Sequence, residues 1–194
     1  MNVQEPPRRR PALVVSGWLL FVCLFLPTLR VCGQPTLPVE FPPTYGIYLG
    51  GLVIALIAAS RQLRRRRFAF AALAAIYSTM LGVIAVGIGA GLHASLRFVL
   101  ALAALAYAIV FTRKVAISER IGARTIATGC TVHSIIALGW TALIAGDPDR
   151  MWGAYVALGA STVLLFGSLA MCFAAFSDHR ARRAWPLPLA RINA

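Results

Sequence analysis

Cys130, His133 and Cys172 are the residues of this 194-residue chain whose side chains are best suited to hold a metal ion. Cys130 and His133 are one turn apart in a helix and therefore lie on the same face. Thiolate and imidazole groups bind zinc or copper, but a structural zinc ion needs four ligands, and no fourth one is evident. Because a free cysteine packs like a small hydrophobic residue, we favour apolar packing over a metal site and predict no cofactor.

Residues suited to catalysis form no recognisable set elsewhere in the chain. The sequence has no serine–histidine–acid arrangement, no phosphate-binding loop and no metalloprotease motif. We therefore assign no catalytic residue and lean against an enzyme. The alternative is a membrane enzyme that acts at the outer face through His93, Glu40 or Asp147.

The elements that must position these residues are six long apolar stretches. Crossing a bilayer takes about 20 apolar residues, and unalternating runs satisfy their backbone polar groups only as helices. We predict an all-α polytopic integral membrane protein with six transmembrane helices in one compact bundle. It spans residues 12–176, between a basic N-terminus, 1–11, and a basic C-terminal tail, 177–194. The predicted spans are residues 12–29, 45–60, 68–92, 96–112, 126–145 and 153–176.

The basic residues predict the orientation of the chain. With six spans and an inner N-terminus, sixteen of the nineteen Lys and Arg residues face the cytoplasm, as they do in most membrane proteins. Eighteen arginines to one lysine are typical of a GC-rich bacterial genome, so we expect the bacterial inner membrane, with both termini cytoplasmic. This location explains the net charge of +13 without a nucleic-acid partner. We expect one basic cluster to contact anionic lipid headgroups, namely Arg61, Arg64, Arg65, Arg66 and Arg67.

Small and polar residues within the spans are candidates for helix contacts. Small side chains let membrane helices approach closely, inside one chain or across a homodimer. The candidates for packing are Gly46, Gly50, Gly87, Gly91, Gly153, Ala157 and Ser161. The candidates for a polar lining are Tyr77, Ser78, Thr79, His133, Ser161 and Thr162. We also expect His133 to hydrogen bond to Tyr77 or Ser78, which lie at a comparable depth.

Two functions remain open from the sequence. No Asp, Glu, Lys or Arg lies deep in a span, which counts against a proton pump or an ion-coupled transporter. We favour a non-enzymatic subunit or assembly factor of a membrane complex, whose partners are the lipid bilayer and another membrane protein or a second copy. The alternative is a small facilitator or channel for neutral solutes. The proline-rich outer segment 32–44 is predicted to be extended and stiff.

Overall fold

The computed structural model describes residues 11–41, 44–88 and 122–184, together with nine positions between residues 99 and 114; in 81–88 and 178–184 it describes the backbone alone. Five α-helices form this part of the chain. They are α1 (Pro11–Val22), α2 (Tyr45–Ala59), α3 (Leu63–Ile88), α4 (Ala123–Gly146) and α5 (Trp152–Ala184). The predicted all-helical class is confirmed, with one small β-hairpin added.

The predicted number of six transmembrane helices is wrong. Within the described residues only two helices are long and apolar enough to cross a membrane: α4, with 24 residues, and the first 26 residues of α5, Trp152–Ser177. α1, with the 3-10 turn that continues it to Phe25, and α2 are shorter apolar helices. The 15 residues of α2 reach only about 22 Å, less than the roughly 30 Å of a hydrocarbon core.

The other predicted spans also differ from the helices. The first, 12–29, ends early because the helix stops at Val22 and a β-strand begins at Leu29. α3 begins with a turn that contains four consecutive arginines, which is unlike a spanning segment. The predicted span 96–112 lies outside the described residues except at isolated helical positions.

Four helices form a ring, and the fifth packs on its side. α1 packs against α2 and α5, while α4 packs along α5 and against α2; α3 contacts α2 and α4. α1 and α5 are antiparallel, because Leu13 packs at Gly167 and Pro27 at Gly153. α2 is the most enclosed element, with nine of its fifteen residues buried. The core therefore lies around α2, between the other helices.

The contact between α4 and α5 has a regular spacing of small buried residues. Buried positions alternate by three and four residues, the spacing that keeps one face of a helix turned toward its partner. In α4 they are Ala127, Cys130, Ser134, Ala137 and Thr141; in α5 they are Ala154, Ala157, Ser161, Leu164 and Ser168. Nine of these ten side chains are small, so the two backbones approach closely along most of their length.

One end of the bundle is closed by loops, and we call it the capped end. Strands β1 (Leu29–Val31) and β2 (Gln34–Thr36) form an antiparallel hairpin. Its turn places Cys32 and Gly33 at φ values of 51° and 80°, as the favoured two-residue hairpin turn requires. The Arg30 amide donates to the Asp149 carbonyl at 2.8 Å, which ties the hairpin to the α4–α5 loop. The predicted extended segment 32–44 thus includes one strand of this hairpin.

The opposite end is formed by the end of α2 and the beginnings of α3 and α4, and we call it the arginine end. α3 and α4 run in the same direction, since Phe70 packs at Gly129 and Tyr77 contacts His133. The arginine cluster of α3 and Arg124 of α4 therefore share one end of the bundle. Arg30 and Arg150 lie at the capped end with Asp147 and Asp149.

Candidate functional site

His133 of α4 is a chemically active side chain enclosed within the bundle, with 1% of its surface exposed. Its Nδ1 lies 2.6 Å from the hydroxyl of Tyr77 on α3, and the two rings meet edge to face. This is one of the two hydrogen bonds that the sequence predicts for His133. The other candidate, Ser78, instead donates to the Ala74 carbonyl of its own helix at 2.9 Å.

The Cε1 edge of the imidazole, between the two ring nitrogens, packs against the backbone of α2 at Gly50. A Cβ at Gly50 would overlap the ring, so only glycine leaves room for it there. The Ile47 backbone is close enough to interact with the ring, although Nε2 has no partner within ordinary hydrogen-bond geometry in the described part of the chain. We assign the Tyr77 phenol as donor to Nδ1, which leaves the proton of the neutral ring on Nε2. His133 thus joins α2, α3 and α4.

Two other buried polar atoms near the core have no hydrogen-bond partner among the described residues, Tyr48 Oη and Ser161 Oγ. Tyr48 interacts with the side chain of Trp140 and lies near Cys23, but its hydroxyl is outside hydrogen-bond geometry. Burying an unpaired hydroxyl costs about 1–3 kcal/mol, so these two positions reduce the stability of the bundle.

The remaining buried hydroxyls between α4 and α5 are paired. Ser168 Oγ donates to Ser134 Oγ at 3.1 Å, and Ser134 Oγ donates to the Cys130 carbonyl at 2.8 Å. Thr131 Oγ1 donates to the carbonyls of Ala127 and Ser168 at 3.0 and 3.2 Å. Hydroxyls that bond back to their own helix need no solvent, which allows them to lie in a dry contact.

The three candidate metal ligands are not brought together as a ligand set. Cys130 and His133 are buried in the core, whereas Cys172 of α5 is half-buried. In the described residues no group of three or more His, Cys, Asp or Glu side chains could hold one ion. Cys130 packs instead in the α4–α5 contact, as a small hydrophobic residue does.

The predicted polar lining comprises six residues, all of them described, and of these Tyr77 and His133 are joined by a hydrogen bond. Thr79 is exposed and donates to the Ala75 carbonyl, and Thr162 donates to the Leu158 carbonyl at 2.8 Å. Both hydroxyls are therefore engaged by their own helices.

The predicted packing residues face several different neighbours. Gly46 meets Met80 and Ile76 of α3, Gly50 meets His133, and Gly153 meets the Pro27 carbonyl in the capped end. Ala157 and Ser161 of α5 are both buried. Gly87 lies in α3, where the backbone alone is described, and Gly91 lies outside the described residues.

The sequence reasoning missed one close helix contact. A Cβ at Gly17 of α1 would overlap the Gly51 carbonyl and approach the Ala55 Cβ of α2 to 2.9 Å. Gly51 is four residues before Ala55, which is the small-residue spacing typical of helix contacts. That signal is present in the sequence, next to the Gly46 and Gly50 pair.

The outer-face candidates for catalysis are used locally or lie outside the described residues. Glu40 accepts the Leu37 amide at 3.4 Å in its own 3-10 turn. Asp147 accepts the Asp149 amide at 2.8 Å, which is ordinary turn chemistry. His93 lies outside the described residues.

The arginine cluster is partly fixed by local contacts. Arg66 Nε donates to the Ser60 carbonyl at 2.8 Å, and Arg64 lies 5.9 Å from the centre of the Phe68 ring. Arg61, Arg64 and Arg65 are exposed. The cluster therefore presents its charge to the surroundings of the bundle.

Comparison with known proteins does not assign this chain to a family. No protein-family model matches the chain, and no characterised protein or solved structure is significantly similar to it.

Proposed function

We propose that this chain is a multi-pass protein of a bacterial inner membrane that serves as a non-enzymatic subunit or assembly factor of a membrane complex. The membrane location is supported by one observation: large apolar side chains are exposed on the outside of the bundle, while small polar side chains are buried inside it. Leu143, Phe166 and Phe173 are each about 70% exposed or more, while Ser134, Ser161 and Ser168 are completely buried. Large apolar surface of this extent is unfavourable in water and favourable in lipid.

The proposed role as a subunit rests on how the interior is used. Helix contacts include close-packed glycines and paired hydroxyls, and His133 is held by packing and by Tyr77. A pathway for solutes would need polar groups that face a shared passage. The apolar surface of α1, with Trp18 and Leu19 exposed, is instead suited to contact another membrane helix.

The proposed orientation places the arginine end in the cytoplasm. That end carries the cluster Arg61–Arg67 and Arg124, whereas the capped end carries Arg30, Arg150 and acidic residues. Basic residues concentrate on the cytoplasmic side. The N-terminal end of α1 and the C-terminal end of α5 both lie at the arginine end. Both termini would therefore be cytoplasmic.

Location is tested by fractionation and thiol labelling. We expect the chain to remain in the membrane fraction after alkaline extraction. Cys32 at the hairpin tip is exposed and should react with a membrane-impermeant thiol reagent in spheroplasts, whereas buried Cys130 should not. Reporter fusions should place Asp149, at the capped end, outside and Arg124, at the arginine end, inside. A cytoplasmic Asp149 would contradict the orientation.

The role is tested by purification in mild detergent and by reconstitution. We expect a membrane protein to copurify in constant stoichiometry and to be released by harsher detergent. Vesicles that contain the chain alone should swell in small neutral solutes no faster than empty vesicles. A monomeric preparation that accelerates solute entry, with a loss of rate in His133→Ala, would favour the facilitator instead.

A further inference from the structure

The arginine end carries a dense cluster of positive charge. Five of the seven residues from Arg61 to Arg67 are arginines. The side chains of Arg61 and Arg65 are exposed, and the structure records no hydrogen bond or ion pair for either within the described residues. The acidic side chains that it describes, Glu40, Asp147 and Asp149, lie at the capped end.

The location of this charge is electrostatically unfavourable for the helices themselves. The N-terminus of a helix carries a partial positive charge, so acidic groups stabilise it and basic groups do not. α3 has four arginines at its start, and neither α3 nor α4 has an acidic residue in its first turn. An anion bound at this end would relieve the repulsion at both helices.

Exposed aromatic rings accompany the guanidinium groups. Phe68, 51% exposed, lies 5.9 Å from Arg64, and Phe176, 45% exposed, lies 5.0 Å from Arg124. Arg124 Nε is also held 3.5 Å from the Ala175 carbonyl of α5. Each site thus pairs a cation with a large apolar side chain directed out of the bundle.

The pairing of arginines with exposed aromatic rings favours an acidic phospholipid over a nucleic acid as the anion that binds. In an acidic phospholipid the phosphate adjoins the acyl chains, so a guanidinium and an exposed ring can be satisfied by one molecule. Phe176 is three residues along α5 from Phe173, which is 75% exposed, so on α5 the apolar surface continues away from the arginine end. A nucleic acid has no apolar chains to cover that surface.

We propose that the arginine end binds an acidic glycerophospholipid, with Arg61, Arg64 and Arg65 at its phosphate and Phe68 against its acyl chains. Arg124 and Phe176 form a second contact of the same kind on α4 and α5. This inference rests on the proposed membrane location. Beyond that location, we infer that a lipid of the inner leaflet binds as a specific ligand and stabilises the starts of α3 and α4.

The test uses the full chain purified in a neutral detergent, with phosphatidylglycerol and phosphatidylcholine as probes. Bound lipid is measured by native mass spectrometry, and thermal unfolding by circular dichroism. We expect phosphatidylglycerol, and not phosphatidylcholine, to bind and to raise the unfolding midpoint. Arg65→Gln should weaken binding about fivefold, the effect of roughly 1 kcal/mol for each basic residue near an anionic surface. Arg61→Gln with Arg65→Gln should weaken it about twenty-five-fold.

The matched control is Arg30→Gln, which removes one exposed arginine at the capped end. It should leave phosphatidylglycerol binding unchanged. Equal binding of both lipids by the wild type, equal losses in Arg30→Gln and Arg65→Gln, or displacement of the lipid by a short RNA would each overturn the proposal. A chain that leaves the membrane fraction on alkaline extraction would overturn the membrane location itself, which is a separate result.

Discussion

The α1–α2 contact and the α4–α5 contact both bring two helices close together, but by different means. In the first, Gly17 lies against the Gly51 carbonyl, so backbone touches backbone. In the second, side chains such as Ser134 and Ser168 lie between the backbones and bond to one another. Backbone atoms cannot change rotamer to make room, whereas hydroxyls bonded to their own helix can lose a partner at small cost. We therefore expect the first contact to be intolerant of substitution and the second to be tolerant.

The largest effect is expected at the backbone contact. Gly17→Leu should lower the free energy of unfolding by about 3 kcal/mol or more, because the new side chain must displace α2. The measurement is denaturant unfolding in mild detergent, followed by circular dichroism. Gly159→Leu is the control, since a Cβ at Gly159 meets nothing within 4 Å. Equal losses in the two variants would remove the distinction between the contacts.

The next effect concerns the place where α2 meets the imidazole. Gly50→Ala should cost about 2 kcal/mol, because the added methyl group overlaps the His133 ring and forces it to move. In a double-mutant cycle, His133→Ala should remove most of that cost by removing the ring. Additive losses would show that Gly50 acts through helix propensity and not through His133. Gly139→Ala, at an open position, is the control.

A smaller effect is expected for the hydrogen bond to Tyr77. Tyr77→Phe should cost about 0.6 kcal/mol, the average for such bonds between membrane helices, and His133→Gln should be tolerated. The same unfolding assay measures both variants, and Ser78→Ala is the control because Ser78 bonds only to its own helix. A loss of several kcal/mol in Tyr77→Phe would mean that the pair does more than hold α3 to α4.

The smallest effect is expected in the α4–α5 contact. Ser134→Ala and Ser168→Ala should show a coupling energy below about 0.6 kcal/mol. Each hydroxyl also bonds to a carbonyl of its own helix, so the shared bond is only part of what is lost. A double-mutant cycle on unfolding measures the coupling. A value above about 2 kcal/mol would make this contact as specific as the glycine contact.

The sequence was a good guide where the signal is local. Helices are confirmed at the second, fifth and sixth apolar stretches, because apolar runs of that length form helices wherever their backbone groups must bond internally. The bond between His133 and Tyr77 is one of the two that the sequence predicted, since polar residues at similar depth in neighbouring helices have few other partners. The small residues Ala157 and Ser161 of α5 were predicted from the sequence as packing residues, whereas the matching small residues of α4 were not.

The sequence was a poor guide where distant segments compete for one stretch of chain. Residues 12–29 are apolar throughout most of their length, so hydropathy predicts one span. The α-helix nevertheless stops at Val22. The backbone amide of Arg30 then donates to the backbone carbonyl of Asp149, more than a hundred residues away. Periodicity within one segment carries no information on such pairing. The count of six spans failed for this reason, and because hydropathy does not measure where a helix ends.

The sequence by itself therefore determined the helical class, the uneven distribution of charge and two candidate partners for His133, Tyr77 and Ser78. These features depend on composition and on spacing within single helices. They are local, so they do not depend on how the rest of the chain packs. Only the tertiary structure decided that two helices of the described residues are long enough to span a membrane, that a hairpin closes one end, and that Gly17 meets Gly51. Those features depend on which helix faces meet and at what distance, and many pairings of apolar helices are nearly equal in energy until their side chains are packed.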